Sequence, residues 1–193
     1  TRKNVNGLIK LLTDRDAELR ASAATALGEL AFPRVVVPLC RAMPDADPAV
    51  RLAVIAALVR TRDDRAIEPL VHEVRSDNAA TARAAAEGLV SFGGQAVNSL
   101  SRLLTEREPH ARARAIRALA LIRDDRIIPA LTVALEDPSP EVRITLAETC
   151  TTLDDPQVLP LLLHLLRDTD PSVVQAAIAA IDTVGLPGNP ADQ

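Results

Sequence analysis

Residues 35–65, VVVPLCRAMPDADPAVRLAVIAALVRTRDDR, contain two amphipathic segments, each followed by a turn signal. Val36, Leu39, Cys40 and Met43 fall at i, i+3, i+4 and i+7, the single apolar face of a first helix. Asp47-Pro48 then opens a second helix, because Asp is a good N-cap and Pro suits the first helical position. Val50, Val54, Leu58 and Thr61 line the inner face of that helix, and Arg62-Asp63-Asp64-Arg65 turns out of it. The stretch is a helical hairpin.

The hairpin recurs. Leu39 belongs to the series Leu8, Leu39, Leu70, Leu100, Leu131 and Leu162, spaced by 31, 31, 30, 31 and 31 residues. The second helices keep the same phase in Leu27, Leu58, Leu89, Leu119, Cys150 and Ile181. A fixed period in this range marks stacked repeats. No strand pattern interrupts it, so the expected fold is all-α, an α-solenoid (superhelix) of six antiparallel helical hairpins with ~31-residue repeats. The repeats are expected at about 5–34, 35–65, 66–95, 96–126, 127–157 and 158–184, as one solenoid over 1–184, with 185–193 a disordered tail or linker. The short repeat loses its residue in the turn Ser91-Phe92-Gly93-Gly94-Gln95. Either a left-handed glycine turn or a functional bend accounts for it.

Composition narrows the function. The net charge of −4 disfavours nucleic acid, which needs a basic footprint, and the absence of Trp and Tyr removes stacking platforms. No apolar run is long enough to span a membrane. Cys40 and Cys150 lie three layers apart, too far for a disulfide, and reduced cysteines suit a cytoplasmic protein.

The motif Asp45…Asp47-Pro48-Ala49-Val50-Arg51 and its copies closely resemble the HEAT repeat, in the short bacterial and archaeal form named after phycobilisome lyases. The resemblance covers 5–184. It implies a hydrogen-bonded ladder between successive repeats, formed by Asp14, Asp45, Glu106, Asp137 and Asp168 with Arg20, Arg51, Arg112 and Arg143. The ladder is expected to lapse in repeat three, at Ser76 and Ala82, and to lose its arginine in repeat six, at Val174. His72-Glu73 is similar to the His-Glu pairs of HEAT-fold iron hydroxylases acting on deoxyhypusine. Those enzymes need such pairs at the starts of second helices, where this chain has Arg20-Ala21, Arg51-Leu52, Ala82-Arg83, Arg112-Ala113 and Arg143-Ile144. The three histidines do not converge on one point, so no catalytic residue, metal or cofactor is expected and the chain does not read as an enzyme.

The expected function is a protein-protein interaction scaffold. Positions one, two, five and nine after each ladder position of the second helices (Arg20, Arg51, Ala82, Arg112, Arg143 and Val174) are expected to face a concave groove formed by those helices. Ala113, Leu121 and Thr145 fall in these slots, together with the candidate contacts Leu52, Arg60, Arg83, Glu87, Arg114, Arg117, Ile144 and Glu148; His110 stands at the rim. Arg83, Arg114 and Arg117 suit an acidic, partly apolar peptide or protein segment. The alternative, that they pair with Glu87 and Glu148 on a solvated face, stays open. So do two other functions: a chromophore-lyase-like or chaperone-type accessory subunit, and an architectural spacer within a larger protein. The uncharged last helix, Ser172 to Ile181, is consistent with a monomer or with weak association through that helix.

Overall fold

A computed structural model of the chain describes residues 2–184, so the expected tail at 185–193 lies outside the described residues. Twelve α-helices follow one another among the described residues, with no strand: α1 (Arg2–Leu11), α2 (Ala17–Leu30), α3 (Val36–Ala42), α4 (Pro48–Thr61), α5 (Ile67–Val74), α6 (Ala79–Val90), α7 (Gly94–Leu103), α8 (Pro109–Ala120), α9 (Ile127–Leu131), α10 (Pro140–Cys150), α11 (Val158–Leu165) and α12 (Pro171–Val184). They form the six hairpins of an all-α solenoid. Packing divides the chain into two compact units, Thr1–Ser99 and Leu100–Gln193. In the first, α2 lies against α4 and α4 against α6; in the second, α8 lies against α10 and α10 against α12.

The second helices start where their caps dictate. Asp16, Asp47 and Asp170 each accept a backbone N–H two residues on, at 2.8 Å, and Asn78 accepts two. Glu108 and Ser139 make no such bond, and there the proline that follows opens the helix. The recurring leucines fill the core: Leu39 and Leu70 in the first unit, and Leu100, Leu131 and Leu162 in the second, are fully buried. Each contributes roughly 1.5–3 kcal/mol. Cys150, in a leucine slot, is buried too, and burial pushes its thiol up to about 12. Gly93 stands at φ 56°, a left-handed conformation that glycine adopts freely, and Ala31 and Arg62 hold the same slot at φ 47° and 53°. Gly28 serves a different need: a Cβ there would sit 2.6 Å from Ala57 Cα, so its absence lets α2 and α4 approach.

Arginine joins the layers. Arg20 Nε and Nη2 donate to both carboxylate oxygens of Asp45, at 2.7 and 2.8 Å, while Nη1 donates to the carbonyl of Asp14 at 3.0 Å. Arg112 does the same with Asp137 (2.6 and 2.7 Å) and the carbonyl of Glu106 (2.7 Å), and Arg143 with Asp168 (2.6 and 2.9 Å) and the carbonyl of Asp137. Each of these aspartates also accepts the N–H two residues on, closing its own turn.

Repeat three corrects the sequence reading. Ser76 keeps the turn-closing role, accepting the Asn78 N–H at 3.2 Å, but the layer-joining role passes to Glu73, which accepts from Arg51 Nε at 3.1 Å. Glu73 is only 6% exposed and stands in a slot that elsewhere holds Leu11, Ala42, Leu103, Ala134 and Leu165. The acidic partner is displaced by one helical turn, not lost. Ala82, by contrast, has no guanidinium to offer.

Three expectations follow from this packing. Gly28→Ala should lower stability by about 1–3 kcal/mol through overpacking, although alanine is the better helix former; thermal melts check this. Glu73→Ala should cost about 1–3 kcal/mol by stranding Arg51, and adding Ser76→Asp should recover most of the loss; denaturant midpoints of the two variants decide it. The guanidinium partners hold the Asp45 and Asp168 carboxyls below their ordinary value of 3.8. A lowered folded-state value means the stabilisation is complete above that pH and is lost as pH falls through the lowered values. Melting temperature should therefore be level near neutrality and drop below about pH 4, with a smaller drop in Arg20→Gln and Arg143→Gln.

Candidate functional site

The sequence candidates lie on the outward slots of the second helices. The position five residues after each ladder slot is exposed in all six: Thr25, Ala56 and Glu87 in the first unit, Arg117, Glu148 and Ala179 in the second. In the first unit Leu52, Arg60 and Arg83 are also exposed. Arg83 Nε lies 3.7 Å from Glu87 Oε1 on the next turn of α6, with both side chains largely in solvent.

In the second unit, α8 places Arg114, Arg117 and Leu121 at i, i+3 and i+7, one stripe of its surface. Arg117 Nη2 is 3.8 Å from Glu148 Oε2 and 3.4 Å from Thr145 Oγ1 on α10. Arg114 and Ile144 are half-buried. Ala113 and Thr145, expected to face the groove, are buried instead. Slots one and two turn toward the neighbouring second helix, and where α8 meets α10 they become part of the contact. His110, exposed at the start of α8, has Nδ1 3.5 Å from Glu141 Oε1 at the start of α10. His164 Nε2 is 2.8 Å from Glu136 Oε1 on the first-helix side. Of the sequence candidates, Leu52, Arg60, Arg83 and Glu87 belong to the first unit, and His110, Arg114, Arg117, Ile144 and Glu148 to the second.

Sequence reasoning passed over a cavity of about 540 Å³ where α8 and α10 end, lined by Leu121, Ile122, Arg123, Asp124, Asp125, Ile127, Ile128, Thr152, Leu153, Asp154 and Asp155 among others. Its acids lie in turns read only as connectors. The available signal was that Asp154 occupies the slot of Arg62 and Arg123. Among the described residues, no group of three or more His, Cys, Asp or Glu is placed to hold a metal ion, and no helix is long and apolar enough to cross a membrane.

Comparison with known proteins agrees with this architecture. Bilin biosynthesis protein RpcF of Synechococcus sp. (strain WH8020) is 42% identical over 74 residues, 38% of this chain and 35% of that protein, so the match spans about a third of that relative's length. Among solved structures, the complex of CpcE and CpcF of phycocyanin lyase from Nostoc sp. PCC7120 is 22% identical with a TM-score of 0.54, covering 94% of this chain and 77% of that chain. Human deoxyhypusine hydroxylase is 20% identical with a TM-score of 0.52, covering 95% and 74%. At such identities the likeness to both structures is one of fold. Residues 5–91 and 95–182 match the family model for HEAT repeats, and with the repeated caps, cores and ladder rungs they place this chain in the HEAT-repeat family.

Proposed function

We propose that this repeat scaffold binds an acidic, partly apolar segment of a partner protein along the outward slots of its second helices. One observation carries this reading: α8 lines up Arg114, Arg117 and Leu121 on a single stripe. The Arg117–Glu148 pair is 3.8 Å long with both side chains about 60% exposed (61% and 60%). Such a pair holds by roughly 0.2–1 kcal/mol, too little to keep the guanidinium from a better acceptor. A carboxylate arriving on a partner can accept two parallel N–H bonds from one guanidinium edge, and Leu121 gives the same segment an apolar anchor. Arg83 and Leu52 supply the same chemistry in the first unit.

A second reading has an observation of its own, the 42% identity to a bilin biosynthesis protein over 74 residues. On that reading the chain assists chromophore attachment in company with another subunit. Mixing it with free bilin should then shift the pigment's visible absorbance; an unchanged spectrum counts against this role.

The scaffold reading is tested by affinity capture with the wild type and an Arg83/Arg114/Arg117 triple-alanine variant, followed by titration of the identified partner. The triple variant should bind at least tenfold more weakly, and wild-type affinity should fall with added salt. Equal affinity for the two proteins would show that these arginines are only solvated surface.

A further inference from the structure

The turns after α8 and α10 are built on one plan, but the first is charge-balanced and the second is anionic. In the first unit, Asp63 of the Arg62–Arg65 turn accepts from Arg65 Nε and Nη2 at 2.7 and 2.6 Å, and that guanidinium holds the Asp63 carboxyl down at about 2. In the second unit, Asp124 is tied the same way to Arg126, at 2.7 Å twice, and is held at about 2. Asp155 fills the equivalent slot in the next turn and makes the same backbone bond, accepting the Gln157 N–H at 2.8 Å. The arginine, however, is replaced by Gln157, and the other arginine of the motif is replaced by Asp154. Neither Asp125 nor Asp154 has an ion-pair partner among the described residues.

These uncompensated carboxylates rim the cavity of about 540 Å³ between the two turns, whose floor is Ile122, Ile128 and Leu153. Leu121 stands at its edge 59% exposed, the most exposed large apolar side chain among those described. Among the described residues that line it, Asp125, Asp154 and Asp155 outnumber the one cation, Arg123. An apolar floor under a rim of that sign selects an apolar side chain with a cation beside it.

We infer that this groove is a docking site for a partner segment in which a leucine-sized side chain is followed by lysine or arginine. The apolar side chain packs against Leu121 and Leu153, and the cation reaches Asp154 and Asp155. This goes beyond the acidic segment proposed for the arginine stripe: it shares Leu121 with that stripe, continues past the end of α8 and takes the opposite charge.

The test is a ¹⁵N-edited NMR titration of the full chain with three synthetic dodecapeptides, identical in their Gly/Ser flanks and carrying Leu-Lys-Lys, Leu-Glu-Glu or Ser-Lys-Lys at the centre. Leu-Lys-Lys should move the amides of 120–128 and 152–157, and the other two peptides should bind at least tenfold more weakly. Leu121→Ser and the double variant Asp154→Asn/Asp155→Asn should each weaken Leu-Lys-Lys binding at least tenfold. Asparagine keeps the acceptor for the Gln157 N–H, so the turn survives the charge removal. Arg114→Ala/Arg117→Ala should bind Leu-Lys-Lys as the wild type does, which separates this site from the arginine stripe. No movement at these amides, equal response to Leu-Glu-Glu, or undiminished binding by Leu121→Ser would each overturn the assignment.

Discussion

The guanidinium that spans two layers is the contact on which the rest of this fold depends. The turn after a first helix presents the carbonyl of the ladder position, that of Asp14, Asp45, Glu106 or Asp137, to a side-chain donor. Arg20, Arg51, Arg112 and Arg143 each aim Nη1 at a carbonyl of their own repeat's turn and offer the remaining edge to the acid of the next repeat. One planar fork thus satisfies a turn and fixes the register of two layers, which a lysine ammonium with its three divergent donors would not do. With register fixed, the apolar slots stack leucine over leucine, and small residues such as Gly28 and Ala57 let second helices approach.

Arg112 and Asp137 are both buried, so either would carry a large desolvation cost without the other. The pairing also explains why the acid has two jobs. In repeats two, five and six one aspartate closes the turn and receives the arginine. In repeat three the jobs separate: Ser76 is enough for a backbone N–H, while the positive charge still demands a carboxylate, and Glu73 provides it from one turn earlier. Period, caps, core slots and most rungs were legible in the sequence because each is a residue type recurring at a fixed place. Glu73 was not, because its slot is apolar in the other repeats and slot logic assigns it to the core. An acid in an apolar slot, three residues before a missing acid, was the clue.

The outward surface was legible only in part, for a related reason. Helical periodicity says which direction a slot points, not how near the neighbouring helix comes. Slot five is exposed in every repeat, whereas slots one and two graze the adjacent helix. Hence Leu52 is exposed while Ala113, in the same slot, is buried. The cavity beyond Leu121 was invisible for another reason. Its walls come from two turns 31 residues apart, and the lining acids look like ordinary turn formers until their partners are counted.

Because the rungs and apolar slots carry the stability, turns and outward slots can change charge without disturbing the fold. Asp124 with Arg126 is self-compensated, and the same turn with Gln157 in the arginine's place is anionic, yet both close with the same backbone bond. The second unit therefore presents cations along the middle of α8 and carboxylates beyond its end, two fields of opposite sign. A segment presenting the matching charges in one chain direction would satisfy both fields. The same segment reversed would set like charges together, at a cost of several kcal/mol. On the proposed reading, charge order along α8, more than net charge, would distinguish one partner from another on this surface.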